Sequence, residues 1–141
     1  MKLNKLTPNF AVQDIRKTVS YYQDILGLKV LMAVPEDKSS IDSELDENKT
    51  YIYALMGLDN VELMFQRSDS IIEDIPPLKE FEQGASVSFY MEVEDIDSLY
   101  QAIRSKTDFV VDLKTAWYGM QEFYIRDCNG YILGFAENKS E

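Results

Sequence analysis

The sequence contains no histidine, and that absence removes more chemistry than any other feature of its composition. Without imidazole there is no Ser-His or Cys-His nucleophile pair and no 2-His-1-carboxylate iron site. Cysteine is almost absent as well. The single Cys128 cannot close an internal disulfide, and with no basic helix end or histidine near it in sequence it reads as an inert thiol. No glycine-rich phosphate loop occurs. No apolar run approaches the roughly 20 residues needed to cross a bilayer. Met1-Lys2-Leu3-Asn4-Lys5 leads into a strand pattern rather than an export signal, which predicts a cytoplasmic setting. Positive charge is scarce: 14 basic against 25 acidic residues leave a formal charge of −11. Such a field repels phosphate backbones and anionic headgroups, arguing against nucleic acid and membrane surfaces as partners. It would concentrate a cationic ligand, and it also serves plain solubility.

What is present is a repeat. Val12-Gln13-Asp14-Ile15 opens a helix-like stretch containing Tyr22-Gln23, and Val93-Glu94-Asp95-Ile96 opens another containing Tyr100-Gln101. Val61 to Phe65 closes the first half after a turn, and Tyr131 to Phe135 closes the second after Asp127-Cys128-Asn129-Gly130. In the first half, a short strand at Asn9 to Val12 precedes a helix capped by Asp14 and stopped by Gly27, with an apolar face of Ile15, Val19, Tyr22 and Leu26. A strand over 28–34 follows, then a hairpin of 51–56 and 61–66. Between them, 35–50 carries six acidic residues and no periodicity, a solvated loop. The second half repeats the order: a strand at 86–93, a helix face of Ile96, Leu99, Tyr100 and Ile103, a strand at 109–113, and a hairpin of 122–126 and 131–136 about Asn129-Gly130. The expected fold is therefore α+β, two βαβββ modules in tandem. The modules cover 1–66 and 85–141, and the Pro76-Pro77 segment 67–84 links them.

Strand parity sorts the side chains. Phe10, Val12, Leu63, Phe65, Phe89, Met91, Val93, Leu133 and Phe135 share the face that packs under the helices. The opposite face gathers Asn9, Ala11, Glu62, Met64, Gln66, Ser88, Tyr90, Glu92, Ile132 and Gly134, a mixture suited to a ligand cavity. Carboxylates at Glu62 and Glu92 could pair with a cation on which Tyr90 stacks; each could equally be a hydrated or salt-bridged edge residue. Tyr53 is a further wall candidate. Glu122, Tyr124 and Arg126 alternate on one strand, and an Arg126–Glu122 pair there reads as structural.

Together these pieces, with the run from Tyr118 to Phe135, resemble the vicinal oxygen chelate superfamily: glyoxalase I, extradiol dioxygenases and bleomycin resistance proteins. The final run is most similar to the bleomycin resistance branch. The resemblance implies a curved mixed-sheet cup with helices outside, a homodimer, and Trp117 in a loop bordering the cavity. It also implies metal-ligand positions at Thr7, Met64, Ser88 and Gly134. None is a good ligand: two neutral hydroxyls, a thioether and no side chain at all.

The expected function is metal-independent binding or sequestration of a small cationic or aromatic compound by Asn9, Tyr53, Glu62, Met64, Ser88, Tyr90, Glu92 and Trp117. No catalytic residue, metal or cofactor is assigned. The alternative is a metal-dependent lyase or isomerase of the glyoxalase I (lactoylglutathione lyase) type, with ligands drawn from Glu62, Glu92, Asn9 and Gln66.

Overall fold

Asp14 sets the first turn of the chain. Its carboxylate accepts the Lys17 amide at 3.0 Å and caps α1 (Ile15–Leu26), which follows β1 (Asn9–Val12). Gly27 ends α1 in the left-handed region, at φ 70°, with its amide bonded to Gln23. In this computed structural model, which describes residues 1–139, the chain divides into two units, Met1–Glu82 and the residues from Gln83 onward.

The first unit completes a four-stranded sheet with β2 (Lys29–Pro35), β3 (Tyr51–Leu58) and β4 (Val61–Arg67), in the order β1-β4-β3-β2. β1 runs parallel to β4 with Phe10 beside Phe65, and the other pairings are antiparallel. One face lies under α1. Phe10, Val12, Leu63 and Phe65 are buried there with Ile15, Val19 and Tyr22, and the Tyr22 and Phe65 rings stand 4.7 Å apart. A buried phenylalanine of this kind contributes roughly 1.5–3 kcal/mol. The buried stripe of α1 takes Thr18 and Ile25, while Leu26, expected on that stripe, is half-buried in the last turn. Thr18 is accommodated because its hydroxyl donates to the Asp14 carbonyl at 2.8 Å.

The loop 36–50 has no regular element, but it is tied down rather than merely solvated. Arg16 of α1 donates from one nitrogen to the carbonyls of Asp46 and Lys49, each at 2.7 Å. Asp42 accepts from the Tyr51 hydroxyl at 2.6 Å and pairs with Lys49 at 3.1 Å. Asp42 also exchanges backbone hydrogen bonds with Ala33, both 2.8 Å. Sequence periodicity cannot register such contacts, which join single residues rather than faces.

The segment after β4 is also more ordered than its composition suggests. It holds α2 (Ser68–Asp74) and a 3-10 turn at Pro76–Glu80. A helix of two turns with one buried residue, Ile71, leaves no amphipathic period to read. Polar contacts hold it: Arg67 pairs with Asp69 and Glu36, and Ser68 donates to the Val12 carbonyl.

The second unit repeats the plan with β5 (Ser88–Glu92), α3 (Ile96–Ile103), β6 (Asp108–Thr115), β7 (Met120–Arg126) and β8 (Ile132–Asn138), ordered β5-β8-β7-β6. Its register copies the first: Asn9 faces Met64 and Phe10 faces Phe65, as Tyr90 faces Gly134 and Met91 faces Phe135. Phe123, Ile125, Leu133 and Phe135 are buried with Ile96 and Ile103, while Phe89, Met91 and Val93 are half-buried. Glu137 receives the amides of Asp95 and Ile96 and so helps to begin α3. In the last hairpin only Gly130 takes a positive φ, 94°. Asn129, expected to share that role, instead donates its amide to the Asp127 carboxylate at 2.8 Å, and that carboxylate also accepts the Tyr131 amide. Each sheet thus has one face under the long helix of its module and a more open second face, which in the first unit α2 reaches at Gln66: an α+β fold of two tandem βαβββ modules.

Candidate functional site

On the open face of the first sheet, Asn9 sits beside Met64, with Glu62 two residues along β4 and Tyr53 beside Gln66. Gln66 is buried and organises this face. Its amide nitrogen donates to Ser70 Oγ and Asp74 Oδ2, both at 2.9 Å, and its oxygen accepts from Asn9 Nδ2 at 2.9 Å. Because Asp74 can only accept when ionised, Gln66 cannot be flipped, and Asn9 must then turn its nitrogen to Gln66. Asn9 Oδ1 is left buried with no donor among the described residues. Glu62 is not a free anion, since Lys5 holds it at 2.6 Å. The Tyr53 hydroxyl is pushed up from its ordinary value by burial and then by the Glu62 charge.

The open face of the second sheet has a different centre. Glu122, on β7, is 3% exposed. The hydroxyls of Tyr90 and Tyr118 both donate to its Oε2 at 2.5 Å. Each phenol is pushed above its ordinary value, first by the bond to Glu122 and then by desolvation, so both remain donors at neutral pH. The Tyr124 phenol is raised by burial first and by the Glu122 charge second. Tyr124 lies across from Gly134, where a Cβ would meet its ring at 2.5 Å. Trp117 is 94% exposed and stands edge-on to Tyr118, 5.3 Å between centroids. Ser88 and Glu92 flank Tyr90 on β5 and are exposed.

Strand alternation thus separates the faces as expected, with Asn9, Tyr53, Glu62 and Met64 on one and Ser88, Tyr90 and Glu92 on the other. Alternation within β7 alone does not single out Glu122. The expected Arg126–Glu122 pair does not form: Arg126 binds Asp108 at 2.7 Å, its direct neighbour on β6. The repeat itself carried the signal. Phe65 corresponds to Phe135, so Tyr53, beside Gln66, corresponds to Glu122, beside Ala136.

The family positions for a metal offer poor donors. Within the units, Gly134 is covered by the Tyr124 ring and Met64 lies beside the Asn9 amide. Among the described residues no three or more Asp, Glu, Cys or His side chains converge as a cation site. This donor set does not fit a divalent ion, which needs several basic oxygen or nitrogen ligands at about 2 Å.

The family model described as Glyoxalase/Bleomycin resistance protein/Dioxygenase superfamily matches residues 2–135. The chain belongs to this superfamily. Solved structures with the same fold include a protein of unknown function from Agrobacterium tumefaciens str. C58, 23% identical, TM-score 0.70, covering 97% of this chain and 95% of that one. TioX from Micromonospora sp. ML1 is 17% identical with TM-score 0.70, covering 96% and 98%. A glyoxalase/bleomycin resistance protein/dioxygenase from Nocardioides is 17% identical with TM-score 0.71, covering 100% and 88%. No curated protein matches the sequence. At these identities the structures support the superfamily fold and nothing finer. No helix among the described residues is long and apolar enough to cross a membrane.

Proposed function

We propose that this superfamily member is a metal-independent binding protein of the bleomycin resistance type, sequestering a small organic compound on its open sheet faces. The observation that carries the reading is Asn9 Oδ1: a buried acceptor fixed in direction by Gln66, with no donor among the described residues. Buried polar atoms left unpaired are rare and costly, so this acceptor would gain from any donor that a ligand brought to it. Half-exposed Tyr90 and Tyr118 and the exposed Trp117 supply aromatic surface of the kind that small-molecule sites use. The reading includes a homodimer working in the cytoplasm.

A glyoxalase-type lyase or isomerase would need at least three converging metal ligands. Glu62 is engaged by Lys5 and Gln66 by Asn9, Ser70 and Asp74, so the residues considered for that role have other partners. A thermal-shift screen of metal-stripped protein tests both ideas. Stabilisation by organic compounds alone is expected, amounting to about 2.7 kcal/mol at a hundredfold excess over Kd. Stabilisation by a divalent ion alone would overturn the proposal in favour of the lyase.

A further inference from the structure

We infer that the open face of the second sheet recognises a protonated amine, with the free oxygen of Glu122 as its counter-ion. This rests on the binding function proposed above and gives it a ligand class. Glu122 is 3% exposed as a residue, and a carboxylate in such surroundings is ordinarily compensated by a cation or by several donors. Glu122 has two donors on one oxygen, and its other oxygen is left accessible. Both of its donors, Tyr90 and Tyr118, bind Oε2, and Oε1 accepts no hydrogen bond among the described residues.

Among the described residues no cation takes that place. Lys114, the cross-strand neighbour of Glu122, is exposed and forms no ion pair among the described residues, and Arg126 is committed to Asp108. The phenols neutralise no charge, being held in their protonated form. They do fix the carboxylate plane, so Oε1 keeps a defined direction. An ammonium N–H would give that oxygen a charge-assisted bond of about 2.7–2.9 Å, and nearby phenol and indole faces would add cation–π attraction. A neutral hydroxyl could supply the hydrogen bond but not the charge. An anion would meet the carboxylate and the −11 field together. A divalent ion would find one carboxylate where it needs several oxygens.

The test uses the full chain and two isosteric probes, benzylamine and benzyl alcohol, followed by Trp117 emission and by amide chemical shifts. Benzylamine is expected to bind at least tenfold more tightly than benzyl alcohol, with shifts concentrated at Tyr90, Tyr118 and Glu122. In Glu122→Gln, which keeps the shape and removes the charge, the amine should fall to the affinity of the alcohol. The wild-type comparison and shift map decide the question even if that variant folds poorly. Equal affinity for the two probes, or shifts elsewhere, overturns the amine assignment and leaves small-molecule binding standing. So does a screen in which other organic compounds stabilise the protein and benzylamine does not bind. If no organic compound binds, both the assignment and the function beneath it fall.

Discussion

Gly134 faces Tyr124 across the β7–β8 ladder, and the space a methyl group would take at Gly134 is filled by the Tyr124 ring. The missing side chain on one strand is thus the seat of an aromatic on the next. Tyr124 in turn borders Glu122, whose charge raises its phenol.

Gly134→Ala is therefore expected to displace the Tyr124 ring and cost about 1–3 kcal/mol, as overpacking does. The effect should vanish in a Tyr124→Ala background. A denaturant-melt double-mutant cycle measures the coupling, and strictly additive losses would contradict the contact.

Tyrosine ionisation reports on Glu122 directly. The Tyr90, Tyr118 and Tyr124 phenols are raised above the ordinary 10.0, so the folded state retains protons that the unfolded chain has released. Their contribution to stability is complete below pH 10 and declines as pH rises toward the folded values. Glu122→Gln should flatten that alkaline decline and bring the phenolate absorbance of these tyrosines in at lower pH. An unchanged titration would mean that Glu122 does not control them.

Gln66→Leu removes the group that orients Asn9 and ties β4 to α2 through Ser70 and Asp74. A loss of about 1–3 kcal/mol is expected from the unpaired partners. Amide exchange should quicken in α2 before the rest of the first unit, and uniform quickening would show that the contact is not local.

The Asp42 carboxyl, held down to about 2 chiefly by the Tyr51 hydroxyl and then by Ser40 and Lys49, secures loop 36–50. Its folded value lies below the ordinary 3.8, so the contribution is present above that pH and is lost as pH falls toward 2. Asp42→Asn should make the loop protease-sensitive at neutral pH, where the wild type resists. Equal cleavage of the two proteins at pH 7 would count against the tether.

Trp117→Ala should alter stability by no more than about 0.5 kcal/mol, because the side chain is almost fully exposed. Its effect belongs to binding, where weaker affinity is expected for aromatic compounds. A drop in melting temperature with unchanged binding would place Trp117 in packing instead.

Much of this architecture is legible in the sequence because it depends on period. Asp14 and Gly27 bracket α1 by local chemistry, and the alternation through Leu63 and Phe65 separates a helix-covered face from an open one. The repeated register follows from the same alternation. What stays hidden depends on individual partners. Arg126 reaches Asp108 rather than Glu122 because β6, with its bulges, brings Asp108 directly alongside. That choice leaves Glu122 to the tyrosines, and nothing within β7 alone encodes it. Asp42, likewise, meets Tyr51 through the course of the loop between them, which no periodicity describes.

The backbone bridge between Ala33 and Asp42 also bears on how this chain avoids its neighbours. β2 is the outer strand of its sheet, and outer strands offer unpaired amides and carbonyls on which a foreign strand can grow. By bonding both groups of Ala33 to its own loop, the first unit closes part of that margin from within. Loosening the loop would uncover a template for aggregation, so the tether at Asp42 serves solubility as well as shape.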